Sequence, residues 1–223
     1  MPDTNLQTSD EESSGHLFVE DLDRLDCCIF DPSLGIYGQS WHVDLAVKGT
    51  LDDNGFVCEF GRIKATVRQI IRDTLDHALL IPVSSRFVHF QESHDTELWK
   101  FSAKDPETSE ELVWEYRAPA GAVYPIRAVA LRKPEVEQEI EKMLRHRLGS
   151  EVNWISVRLR EENLESSEAV FRYTHGIPGH DGLCQRTFHG HRNRIIVHVG
   201  DERRPDYEHF VARTLFDSSI HIA

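Results

Sequence analysis

The chain has 223 residues, enough for one sizeable domain, with 38 acidic residues against 25 Lys and Arg and a formal net charge of −13. That balance argues against nucleic acid as a partner, because a phosphate backbone needs a basic face. The mean hydropathy is −0.44, and no stretch approaches the roughly 18–20 apolar residues of a membrane helix, so no membrane association is expected.

The opening residues MPDTNLQTSDEESSG have neither the basic start nor the apolar centre of a secretory signal. Cys27, Cys28, Cys58 and Cys184 show no disulfide-framework spacing, so a reducing, cytoplasmic setting is expected. Residues 1–15, acidic and Ser-rich, read as a disordered tail, and residues 16–223 as a single domain.

Leu17 to Phe30 reads as a strand, and DPSLGIYG after it carries Pro and Gly turn signals. Trp41, Val43, Leu45 and Val47 alternate with polar neighbours as in a half-buried strand, closed by TLDDNG. Ile63, Val67, Ile70, Ile71 and Leu75 fall at helical spacing, with Arg62, Lys64, Arg68, Gln69 and Arg72 opposite. That helix is expected to stop near Leu75-Asp76-His77. Residues 85–124 read as an inserted hairpin, with strands at Arg86–Phe90 and Leu112–Tyr116 around a polar loop. Pro134 suits the first turn of a second helix, which buries Val136, Ile140, Met143, Leu144 and Leu148 and ends at Gly149. Ile155, Val157 and Leu159 mark another strand. A final hairpin is expected over 169–200, its strands at Ala169–Thr174 and Ile195–Val199. The order predicts an α+β layer, two helices on one face of a largely antiparallel sheet.

The final hairpin concentrates His175, His180, His189, His191 and His198 with Cys184. Residues two apart in a strand share a face, so His189-Gly190-His191 aims two imidazoles at one point, and Gly190 permits close backbone approach. His175 completes the set if the strands pair. Three histidines without a fourth protein ligand describe a catalytic zinc site with one open position; histidines are also common on solvated strands, and both readings stand at this point. Cys184 reads either as a thiolate beside a metal or as a small buried residue. Asp76 beside His77 can orient an imidazole for proton relay, or the histidine can simply complement a helix C-terminus.

The pattern Phe171…His175…Cys184…His189-Gly190-His191 resembles the 6-pyruvoyltetrahydropterin synthase and 6-carboxytetrahydropterin synthase family. A second segment is similar at Gly55, Val57, Phe60, Lys64, Leu75, Asp76, His77 and Leu79, with Glu59 in place of the family's aspartate. A third places Glu161, with Glu162 beside it, where the family carries a pterin-anchoring glutamate. The resemblance implies the tunnelling fold, a barrel completed by homo-oligomerisation, and active sites at subunit interfaces. It implies zinc on His175, His189 and His191, catalysis by Cys184, Asp76 and His77, and substrate binding by Glu161.

The implied substrate is the pterin triphosphate 7,8-dihydroneopterin triphosphate. The product is 6-carboxytetrahydropterin, on the queuosine route, or 6-pyruvoyltetrahydropterin. A non-catalytic zinc- or pterin-binding member is the alternative. Motif order departs from the family: the Asp-His segment comes first, and Tyr37 and Gln39 stand where the early hairpin would carry histidines. The gap from Cys184 to His189 fits neither product subgroup. Arg186, Arg192 and Arg194, with Lys48, Arg62 and Lys64, are the basic groups available to a triphosphate.

Overall fold

The computed structural model describes residues 14–91, 98–105, 107–119, 121–149, 152–162, 168–176, 183, 189–215 and 220–222. It opens on a long antiparallel hairpin, β1 (Ser14–Asp31) and β2 (Gly35–Thr50). Ser14 and Gly15, expected in the acidic tail, already belong to β1; residues 1–13 lie outside the described residues. Asp31 closes the turn, its side chain accepting from the backbone N–H groups of Ser33 and Leu34 at 2.8 and 3.0 Å, the geometry that makes aspartate a turn residue.

Helix α1 (Phe60–Thr74) follows. Glu59, standing where the family has aspartate, caps it by accepting from the N–H groups of Gly61 and Arg62, which satisfies donors the first turn leaves free. Strand β3 (Leu79–Pro82) is buried along its whole length and pairs parallel to β1. Residues expected as an inserted hairpin instead make three strands, β4 (Val88–Gln91), β5 (Leu98–Lys104) and β6 (Glu111–Arg117), in a small antiparallel sheet of their own. β7 (Val123–Ile126) rejoins the main sheet parallel to β3. Then come α2 (Lys133–Leu148) and β8 (Trp154–Arg160), the latter antiparallel to β2.

The main sheet therefore runs β7-β3-β1-β2-β8 and is mixed rather than largely antiparallel. The reason is topological: α1 and the insert each return the chain to the same end of the sheet, so β3 and β7 run with β1. Leu79-Leu80-Ile81, apolar without alternation, is what a parallel strand covered on both faces requires.

Alternation divides the sheet into two faces. Leu25, Cys27 and Ile29 of β1 pack with Ile63, Val67 and Ile71 of α1 and with Val136, Ile140 and Leu144 of α2. This is the expected layer of two helices on one face. Cys28 and Phe30 point the other way, into Val88, Phe101 and Ala103 of the small sheet. Each fully buried Val, Leu, Ile or Phe side chain of these clusters contributes roughly 1.5–3 kcal/mol.

The last part of the chain lies across β1 and β2. β9 (Val170–His175) pairs with β10 (His189–Arg194), so the second hairpin strand is the histidine segment itself rather than Ile195–Val199. Ile195 still bonds Ala169 through its N–H, 2.8 Å, and there the ladder ends. β11 (His198–Val199) and β12 (Glu202–Arg203) form a short ribbon leading into α3 (Pro205–Thr214), a third helix that the sequence reading left out. The buried Glu208 fastens α3 by accepting from Val197 N at 3.2 Å and from Arg203 Nε and an Arg203 terminal nitrogen at 2.8 and 3.0 Å. β13 (Ile220–Ile222) adds parallel to β9. Among the described residues, no helix is long and apolar enough to cross a membrane.

Candidate metal centre

Strand register assembles the three histidines. His189 stands directly opposite His175, and His191, two residues on, emerges on the same face. Their ligand nitrogens all lie within 4.8 Å of one another, and Nε2 of His191 is 3.0 Å from Nε2 of His175. Ring centroids are 4.3 Å apart for His175–His189 and 4.7 Å for His189–His191. His189 is 1% exposed, yet its Nδ1 has no hydrogen-bond partner among the described residues. A buried imidazole nitrogen without a partner is costly unless something else satisfies it.

Burial, together with the neighbouring imidazoles of His77, His191 and His175, pulls His189 down to about 3. Burial and the same kind of crowding lower His175. Both rings are therefore neutral at pH 7, the state in which imidazole binds a metal. A compact set of three neutral nitrogen donors with an orphaned buried nitrogen fits zinc, which takes imidazole readily and leaves a position open in three-ligand sites.

The Asp-His turn is brought to the same place within one chain. The His77 ring lies 3.9 Å from that of His189, centroid to centroid. Asp76 Oδ2 is 2.8 Å from His77 Nδ1, with the ring N–H turned off the line of a hydrogen bond. Asp76 Oδ1 accepts from Asp26 N at 3.0 Å, and His77 N donates to Asp26 O at 2.8 Å. His77 has φ 57°, the left-handed region sparsely used by residues other than glycine. Two backbone anchors to β1 hold it there.

Asp26 itself escaped the sequence reading. Its Oδ1 is 3.3 Å from Nδ1 of His191 and accepts from the Ser40 hydroxyl. Burial pushes its carboxyl up, but the bonds from His191 and Ser40 outweigh that and hold it at about 2. Asp26 Oδ1 also accepts from Arg24 Nε at 3.2 Å; the partner that ties it to the triad, His191, lies at the far end of the sequence.

Other expected site residues stand elsewhere. Cys184 lies outside the described residues, as does Arg186. Glu161 accepts from Gln39 Nε2 at 3.4 Å and lies 3.8 Å from an Arg192 terminal nitrogen. Arg192 follows His191 and leaves the other face of β10, so Glu161 is not brought onto the histidine triad. It lines an open groove of about 770 Å³ with Lys133, Glu137, Arg158 and Arg192. Arg194 is engaged by Glu162 and Glu168 at 3.2 and 2.9 Å. Lys48 and Lys64 lie over the rings of Trp154 and Phe60.

In β1–β2, Gly38 pairs with Cys28, as Gly190 pairs with Thr174 in β9–β10. By that register Ile29, Tyr37 and Gln39 occupy the positions of His175, His189 and His191, and none of them is a zinc-type ligand.

Fold and site together define an α+β protein with a three-histidine pocket beside an Asp-His pair. The chain belongs to the 6-pyruvoyl tetrahydropterin synthase family, whose model matches residues 16–165. That span ends before the histidine hairpin. A Methanocaldococcus jannaschii protein, provisionally described as a 6-carboxy-5,6,7,8-tetrahydropterin synthase, is 31% identical over 136 residues, covering 58% of this chain and 77% of that one. The fold is similar to a Plasmodium vivax 6-pyruvoyltetrahydropterin synthase, with TM-score 0.53, 22% identity and coverage of 69% of this chain and 94% of that one. It is also similar to the Plasmodium falciparum 6-pyruvoyl tetrahydropterin synthase, with TM-score 0.52, 22% identity and coverage of 67% and 92%. These likenesses give the sheet and helices the tunnelling fold.

Proposed function

We propose that the chain is a zinc-dependent pterin synthase of the lyase type, acting on 7,8-dihydroneopterin triphosphate. The convergence of His175, His189 and His191 beside Asp76 and His77 carries the reading. Held on those three nitrogens, zinc supplies Lewis-acid polarisation of a substrate side-chain oxygen. His77, with Nδ1 toward Asp76, keeps Nε2 for the substrate and carries one proton there. Cys184 as thiolate abstracts the proton next to the ring.

Glu161 accepts two hydrogen bonds from the amino-pyrimidine edge, a geometry one carboxylate can satisfy. Its contacts with Gln39 and with Arg192, which leaves β10 on the face opposite His191, support a site shared between subunits, in which one protomer's Glu161 serves its partner's histidines. A homo-oligomer follows, built by the main sheet's edge strands β7 and β8, which have no further strand partner among the described residues.

The relative from M. jannaschii favours 6-carboxytetrahydropterin over 6-pyruvoyltetrahydropterin as product. Incubation with 7,8-dihydroneopterin triphosphate separates the two: the first releases both triphosphate and acetaldehyde, the second triphosphate alone. Zinc-loaded protein that releases neither ends the enzyme reading. Should it still bind pterin tightly, the second reading takes its place, a non-catalytic zinc- or pterin-binding member. Two observations favour that alternative: the family match stops at 165, and the early hairpin has Ile29, Tyr37 and Gln39 at the ligand positions.

A further inference from the structure

The two hairpins meet back to back, and the contact is reciprocal. A Cβ on Gly38 would lie 2.2 Å from the carbonyl oxygen of Tyr173; one on Gly190 would lie 2.7 Å from that of Cys27 and 1.9 Å from Gly38 Cα. Tyr173 and Cys27 hold the same register position, each opposite the residue that follows the glycine. A patch that meets its own counterpart in this way implies a local twofold axis.

The axis relates side chains as well. Asp26 corresponds to Arg172, and Gln39 to His191. On one side Asp26 Oδ1 faces His191 Nδ1 at 3.3 Å. On the other, Arg172 Nε donates to Gln39 Oε1 at 3.3 Å. The same pair of positions thus carries carboxylate with imidazole in one half and guanidinium with amide in the other. One half suits a cation beyond the imidazole; the other repels it. The carboxylate half is also braced: Ser40 Oγ, which donates to Asp26, accepts from Arg192 N at 3.2 Å. The early hairpin, which has no histidine at the three ligand positions, is therefore built against the late one through a specific polar contact, in addition to glycine packing.

We propose that Asp26 is the positioning residue of the metal site, presented by the hairpin that has no ligands of its own. By accepting a hydrogen bond from the Nδ1–H of His191 it fixes the ring and its tautomer, leaving Nε2, which already faces His175, to the ion. This rests on the reading of the triad as a metal site.

Zinc affinity of the full chain, measured by competition with a chromophoric chelator, tests both layers separately. Wild-type protein that takes up no zinc overturns the metal reading itself. Given wild-type binding, Asp26→Ala is expected to weaken affinity by about 10–100-fold. Asp26→Asn, which keeps an acceptor oxygen, should recover most of the loss and remain about 3–10-fold weak. The cobalt-loaded Asp26→Ala protein should show shifted visible absorption bands. Arg172→Ala, across the twofold axis, should bind zinc within about twofold of wild type. Asp26 variants with wild-type affinity and an unchanged cobalt spectrum overturn the proposal. So does an equal loss in Arg172→Ala, since that would report hairpin docking alone. If Asp26→Ala fails to fold, the Asp26→Asn affinity decides, and a change below about twofold counts against it.

Discussion

The early hairpin holds Ile29, Tyr37 and Gln39 at three register positions; the late hairpin holds His175, His189 and His191 at the same three. Backbone pairing is alike in the two and their chemistry is not. What both keep is the glycine, Gly38 in one and Gly190 in the other, each with no room for a Cβ. The comparison teaches that packing and ligation are separable demands on one motif. A ligand position can be filled by tyrosine or glutamine at little cost to the ladder, whereas the glycine cannot be filled at all without moving backbone. The family match, over residues 16–165, takes in the main sheet, while the three histidines sit on a hairpin beyond it.

Breaking the comparison at the ligands should give the largest effect. His189→Ala removes the buried central nitrogen, and zinc affinity should fall by more than about 100-fold, beyond what loss of an outer partner costs; metal analysis of the purified protein reads this directly. Adding histidines to the other half, as Tyr37→His with Gln39→His, should not raise zinc content, because Ile29 offers no third donor and Arg172 faces position 39.

Filling the glycine contact comes next. Gly190→Ala puts a methyl group onto the Gly38 backbone and should destabilise the fold by about 3 kcal/mol, read as a lower midpoint in urea. Acidification should be milder and stepwise. In metal-free protein His189 is held at about 3 against an ordinary 6.5, so the unfolded state takes up the proton first and stability falls as pH drops from 6.5 toward 3. Asp26, held at about 2 against 3.8, contributes fully above 3.8 and loses its share only as pH falls through 2. The unfolding midpoint between pH 7 and 4.5 therefore reports on the histidine half. Cys27→Ala should do least: about 1 kcal/mol lost from the helix-side core, with zinc content unchanged.

How far the sequence carried this differs by residue. Ile63, Val67 and Ile71, or Val136, Ile140 and Leu144, announce their helices because one element's period is written in consecutive residues. His189-Gly190-His191 is legible for the same reason. Asp26 is not: its meaning comes from His191, and only docking of the two hairpins joins them. The run Ile195–Val199 looks like a strand by composition, but the ladder is set by the partner, β9, whose residues end opposite Arg194. The parallel pairing of β3 with β1 and the third strand of the insert depend likewise on where crossovers land. α3 carries readable marks, Pro205 in its first turn with Asp206 and Glu208.

The reciprocal fit of Gly38 and Gly190 has a consequence for how the protein matures. Closing a contact between segments so distant in sequence carries a loop-closure cost that the early hairpin, formed from neighbours, does not bear. Docking of the late hairpin is then expected to follow formation of the early one, and an ion that bound only the docked form would stabilise it by RT ln(1 + [Zn]/Kd). With zinc on the triad as proposed, metal supply would then set what fraction of newly made chains reaches the docked state.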